Sequence, residues 1–152
     1  MPKPSAWGYG KWTRVDTGMY TSRAFLSLSG TAVKMLLLFL GKRKLIFPKD
    51  KKGGNGSMIV ENWDQLTMTY EELANGPFHW TKPRISRSFD DLLAKGFIEV
   101  KDPGGLYKQH KAVYALSEAW KKWQPGMVIF RRCKDVHRGW QDAECRDRSL
   151  KN

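Results

Sequence analysis

Cysteine is scarce in this sequence: only Cys133 and Cys145 occur, too few for a disulfide framework. Histidine is nearly as rare, with three residues, and no Ser/His/Asp or Cys/His set stands out. The one metal-ligand candidate is Cys133, His137 and Cys145 with His110, and its spacing matches no paired zinc motif. A long apolar run is also missing. The longest stretch, residues 33–40, is interrupted at Lys34 and falls far short of the roughly 20 residues needed to cross a bilayer. Residues 1–10 lack the apolar core of a secretory signal, so an intracellular, cytoplasmic chain without a membrane partner is expected. The glycine cluster Gly53-Gly54-Asn55-Gly56-Ser57 lacks the lysine of a nucleotide-binding loop. The carboxylate pairs Glu71-Glu72 and Asp90-Asp91 are adjacent on expected helices, so each pair splits over two faces and reads as solvated. No enzyme activity, cofactor or small-molecule substrate is expected from these residues.

Acidic residues are the other deficit: 15 Asp and Glu face 27 Lys and Arg, a net charge of +12 over 152 residues. Such a balance favours an anionic polymer or surface, because each cation near a phosphate releases a counterion. It also fits a basic protein that is merely soluble. With 41% apolar and 12% aromatic residues there is enough material for a real core.

Along the chain, residues 1–27 show no sustained period and read as an arm. Trp7, Tyr9, Trp12 and Tyr20 can pin it to the body or to a second subunit. The spacing then predicts a helix over 29–41, with Ser29 as cap and Gly41 as stop. Its buried face is expected at Val33, Leu36, Leu37 and Leu40, with Met35, Leu38 and Phe39 loading the flanks. A helix apolar nearly all round is buried on more than one side, so it can also face a partner subunit. A basic hairpin is expected over 42–60, from Leu45-Ile46-Phe47 to Met58-Ile59-Val60, around the glycine-rich tip.

A short strand at Leu66 to Met68 leads to a helix that Thr69 and Glu72 open in capping-box spacing. Asn75-Gly76-Pro77 ends it. A second helix spans 81–95, with Pro83 in its first turn and a buried stripe of Ile85, Phe89, Leu92 and Leu93. After Gly96, strands 97–100 and 112–116 flank the turn Asp102-Pro103-Gly104-Gly105. Ser117 caps a short helix carrying Trp120 and Trp123. Residues 127–130 look structured, and the rest of 127–152 is a charged tail.

The order helix, strand, helix, helix, strand, turn, strand resembles the winged helix-turn-helix family. The resemblance rests on Thr69-Tyr70-Glu71-Glu72-Leu73-Ala74, on Arg84-Ile85-Ser86-Arg87-Ser88-Phe89 and on residues 92–100, and covers roughly 28–123. That family includes bacterial and phage transcription regulators and the DNA-binding modules of replication initiators. The resemblance implies an α+β fold: a three-helix core with a small antiparallel sheet and wing over 28–126, plus an N-terminal arm (1–27) and a basic C-terminal tail (127–152). It makes 81–95 the recognition helix and the hairpin through Gly104-Gly105 the wing. The implied partner is double-stranded DNA, bound near the nucleoid, with a homodimer suited to paired half-sites.

The residues point the same way. With Ile85, Phe89 and Leu92 inward, the opposite face of that helix presents Thr81, Lys82, Arg84, Arg87 and Ser88 in its first two turns, where a docked helix meets bases and phosphates. Asp91 can pair with Lys95 one turn on. The wing adds Lys101, Lys108, His110 and Lys111 around Tyr107, suited to backbone or minor-groove contact. Plainer roles fit the same residues: a solvated helix face, and lysines that keep an edge hairpin from pairing. One departure from the family is the long turn over 75–80, which carries Phe78, His79 and Trp80. Phe78 and Trp80 read as core or staple residues there. The alternative function is a winged-helix module for protein contacts or oligomerisation, because a fold does not fix a function. RNA binding ranks below both: the seven Trp and five Tyr fall mostly at core spacing, not where bases would stack.

Overall fold

In the computed structural model, which describes residues 13–46, 58–104 and 111–132, the apolar stripes of two long helices meet over a small antiparallel sheet. The architecture is α+β. Two single-turn helices, α1 (Thr17–Tyr20) and α2 (Arg23–Leu26), precede α3 (Gly30–Gly41). A hairpin of β1 (Leu45–Ile46) and β2 (Ile59–Val60) follows, then β3 (Leu66–Thr67), α4 (Tyr70–Asn75) and α5 (Lys82–Ala94). Strands β4 (Ile98–Asp102) and β5 (Val113–Leu116) and a 3₁₀ turn (Ala119–Lys122) complete it. The larger sheet runs β3-β5-β4, all antiparallel, with Val100 opposite Tyr114 and Leu66 also opposite Tyr114.

Side-chain caps set the starts of α3 and α4. The Ser29 hydroxyl accepts from the Ala32 amide at 3.2 Å. At α4 the Thr69 hydroxyl accepts from Glu72 N at 3.1 Å while Glu72 Oε2 accepts from Thr69 N at 3.5 Å, so two otherwise orphaned donors are satisfied reciprocally. Pro83 sits in the first turn of α5, where its missing N–H costs nothing.

The buried stripe of α5 is Ile85, Ser88, Phe89, Leu92 and Leu93. It packs on α3, where the inward residues are Ala32, Met35, Leu36, Phe39 and Leu40. This corrects the expected face of α3: the helix is turned so that Leu37 is left 41% exposed and Met35 and Phe39 take the core positions. A helix apolar all round offers several faces, and the choice is made by what it packs against. Here the Phe39 ring meets Phe89 edge-on at 6.0 Å and Tyr114 at 5.4 Å, and Phe89 stacks on Tyr114 at 5.1 Å. Such ring pairs add about 0.5–1.5 kcal/mol each beyond the area they bury.

Residues at both ends join this core. The expected arm contributes from residue 13 on: Ala24 is fully buried, and Phe25 meets Phe97 edge-on at 6.4 Å. Tyr20 remains exposed, and Trp7, Tyr9 and Trp12 lie outside the described residues. Beyond the 3₁₀ turn, Ile129 N donates to Ala94 O at 2.8 Å and Phe130 N to Leu93 O at 3.2 Å. The Ala94 carbonyl, which the last turn of α5 would otherwise leave open, is satisfied by this strap, and the Leu93 carbonyl, already accepting from Gly96 N at 3.0 Å, gains a second bond. Between them, Gly96 adopts φ +77°, and a side chain there would meet Trp120 N and Ile129 Cδ1 at 2.9 Å. Only glycine lets the chain turn so tightly against the strap.

The 42–60 hairpin forms at its base, Leu45 opposite Val60 and Ile46 opposite Ile59. The Asn62 amide bridges it to α3, accepting from Lys44 N at 2.6 Å and donating to Lys42 O at 3.0 Å. The glycine-rich tip lies outside the described residues.

Candidate nucleic-acid interface

The α5 stripe faces the core, so the rest of its circumference is set by the sequence between the apolar positions. Thr81, Lys82, Arg84 and Arg87 are exposed at its N-terminal half, as the spacing predicts. Among the described residues none of these three cations has a carboxylate within ion-pair distance. Arg84 and Arg87 share a shallow depression of about 210 Å³ with Ser29 and Thr31, which open α3, and with the nearly buried Ser88 at its floor. The start of α3 and the first two turns of α5 therefore border one depression.

Ser88 is a correction. It is 1% exposed, and its hydroxyl donates to the Arg84 carbonyl at 2.9 Å. Its position, three after Ile85 and four before Leu92, places it on the buried stripe. The bond to the carbonyl four residues back satisfies the hydroxyl, so a small polar side chain can be buried there at little cost. It does not belong to the outward face.

Several other cations of the scaffold are held by local partners. Lys95 pairs with Asp91 at 2.6 Å, and Asp91 also accepts from Ser29 N at 2.9 Å, tying the end of α5 to the start of α3. Lys42 pairs with Glu72 at 2.6 Å. In the hairpin, Lys101 is exposed but 3.0 Å from Glu99, which offsets part of its charge. Lys111 is exposed where the chain re-enters β5. Lys108, His110 and Tyr107 lie outside the described residues.

The turn between α4 and α5 separates its two aromatics. Trp80 is buried, and Phe78 stacks on it at 4.9 Å while staying 40% exposed. Lys34 Nζ lies 5.5 Å from the Phe78 ring, and His79 between the two aromatics takes φ 46°. Of the two residues expected as core or staple, Trp80 lies in the core and Phe78 is a part-exposed ring packed on it.

Sequence reasoning missed Arg132. The strap lays its guanidinium against α4 and α5, where it donates to the Tyr70 hydroxyl at 2.6 Å and to the Ser86 hydroxyl, with Nε 3.3 Å from Asp90 Oδ1. Burial alone would pull its pKa down, but the Tyr70 bond and the Asp90 charge outweigh it and hold the pKa above its ordinary value. Nothing in its local sequence signals this, because its partners lie 42 to 62 residues away. The arginine fixes the flank of α5 beside the free cations.

No helix among the described residues is long and apolar enough to cross a membrane. The described residues also bring together no three His, Cys, Asp or Glu side chains able to hold a metal ion. The candidates Cys133, His137, Cys145 and His110 fall outside them. No protein-family model, curated protein or solved structure matches this chain.

Proposed function

We propose that this chain is a double-stranded DNA-binding protein of the winged-helix type, a transcription regulator or replication-initiation module, with α5 as recognition helix and the β4–β5 hairpin as wing. The order α3, β3, α4, α5, β4, β5, with β5 between the other two strands, supports the scaffold. The observation that carries the function is the set Lys82, Arg84 and Arg87. Among the described residues these cations stand free on one helix end, while Lys42, Lys95 and Arg132 are already neutralised by carboxylates. A free guanidinium can take a phosphate or the O6/N7 edge of guanine in bidentate fashion; a paired one must first give up its partner. An α-helix of about 10–12 Å diameter fits a major groove about 12 Å wide. Thr81 supplies a hydroxyl at the same end, and Lys101 and Lys111 add backbone contacts from the hairpin. The work is binding rather than catalysis, with no cofactor, and a homodimer would present two such helices to paired half-sites.

A fluorescence-anisotropy titration against a random duplex, the matching single strand and an RNA hairpin, at two salt concentrations, tests the class of partner. Tighter, salt-steep binding to duplex is expected. Equal, weak binding to all three would refute the proposal. The alternative, a winged-helix module for protein contacts, draws on a different surface, where Leu37 and Phe78 are exposed.

A further inference from the structure

That second surface is a groove of about 430 Å³ between α3 and the α4–α5 turn, walled by Leu37, Leu38, Met68, Leu73, Pro77 and Phe78. Its volume lies within the range, about 300–1,000 Å³, in which proteins enclose small ligands or large side chains. The Lys42–Glu72 ion pair stands at its rim. Two of its wall residues, Leu37 and Phe78, are the large apolar side chains that the core leaves exposed on α3 and on the turn.

We propose that the chain's own residues 1–12 occupy this groove, with Trp12, Tyr9 and Trp7 as the side chains that fill it. The described chain enters at the groove itself: Thr13 is part of its wall. That entry is fixed at two points. Thr13 Oγ1 lies 3.3 Å from where a side chain on Gly41 would begin, so glycine allows the close approach. The Arg43 guanidinium donates to the Arg14 carbonyl, as well as to Leu40 O at 3.0 Å. The residue before this anchored point is Trp12, and three of residues 1–12 are aromatic while none is acidic. An extended chain covers about 3.3–3.6 Å per residue, so Trp7, six residues before Thr13, reaches about 20 Å, more than a groove of this size requires. A tethered segment this short also acts at an effective concentration in the millimolar range, ahead of any separate partner. The inference is independent of the DNA-binding proposal.

Limited trypsin digestion of the full chain, read by mass spectrometry, is the test. Lys3 is followed by Pro4, which leaves the Lys11–Trp12 bond as the usable cut within residues 1–12. With the segment seated, that bond is cut slowly. Leu37→Asp at the half-exposed wall, and separately Trp7→Ser, should each speed its cleavage by about tenfold, since cutting follows the population of the open form. Cuts after Arg84 and Arg87 within α5 serve as the unfolding control and should not change. Fast cleavage at Lys11 in the unaltered chain, at the same rate as in both variants, overturns the proposal. So does protection that disappears on dilution, which would assign the groove to a second copy.

Discussion

Replacing Arg132 by methionine removes the strap's only charged contact with the α4–α5 pair among the described residues, and its cost can be worked from the geometry. Two hydrogen bonds from a guanidinium, to Tyr70 and Ser86, are worth about 1.5 kcal/mol each at the lower end of the charge-assisted range. The ion pair contributes less: Asp90 is 42% exposed against 21% for Arg132, so solvent screening holds it to about 0.5 kcal/mol. Freezing the long arginine side chain costs about 1.5 kcal/mol, which leaves a net loss of about 2 kcal/mol. In urea unfolding, with a slope near 2 kcal/mol/M for a chain of this size, the midpoint should fall by about 1 M. Arg132→Lys should recover less than half, because one ammonium cannot span three partners that a planar fork reaches together. A loss below about 0.5 kcal/mol for Arg132→Met would show that the strap does not brace α5, and the reasoning would fail.

Two further outcomes follow from the core. Burial pushes the Tyr114 phenol up to about 12, against a smaller opposing pull from Arg132. Below pH 10 the phenol is protonated in both states; between 10 and 12 the unfolded chain loses the proton while the folded one keeps it. Stability should therefore fall with rising pH across that window, by at most about 3 kcal/mol, and Tyr114→Phe should flatten the decline in alkaline urea midpoints. Gly96→Ala should cost about 2 kcal/mol or more in the same assay, since it combines a positive φ with contacts at 2.9 Å to Trp120 and Ile129; a neutral outcome would contradict the tight turn.

Elements set by local chemistry are legible from the residues: the Ser29 cap, the Thr69–Glu72 box, Pro83 in the first turn of α5, the Ile85–Phe89–Leu92 stripe and the Asp91–Lys95 pair. Of the nine expected contact residues, Thr81, Lys82, Arg84, Arg87, Lys101 and Lys111 are exposed, and Ser88 is not. Ser88 is misread from sequence when its polarity is weighed above its position on the stripe, because a hydroxyl that bonds the preceding turn behaves as a small buried side chain. The rotation of α3 is hidden because Met35, Leu37 and Phe39 are equally apolar, and only the rings of Phe89 and Tyr114 choose among them. Residues 127–130 read as structured, but where the strap docks and what Arg132 holds are illegible for another reason. Their contacts are backbone bonds to carbonyls of α5 and a guanidinium fork to distant residues, neither of which leaves a period in the sequence.

DNA binding through Arg84 and Arg87 is tested by the salt dependence of duplex binding for the unaltered chain and for Arg84→Ala/Arg87→Ala. Where an arginine neutralises a phosphate, its removal should make the slope of log K against log salt shallower by about 0.9; where it reads a base, its removal should cost about 1–3 kcal/mol on the preferred sequence. The double variant should keep its urea midpoint but bind duplex at least about tenfold more weakly, a penalty of about 1.4 kcal/mol. Unchanged affinity and slope in a folded double variant would contradict this prediction, and the free cations of α5 would then be a solvated helix end.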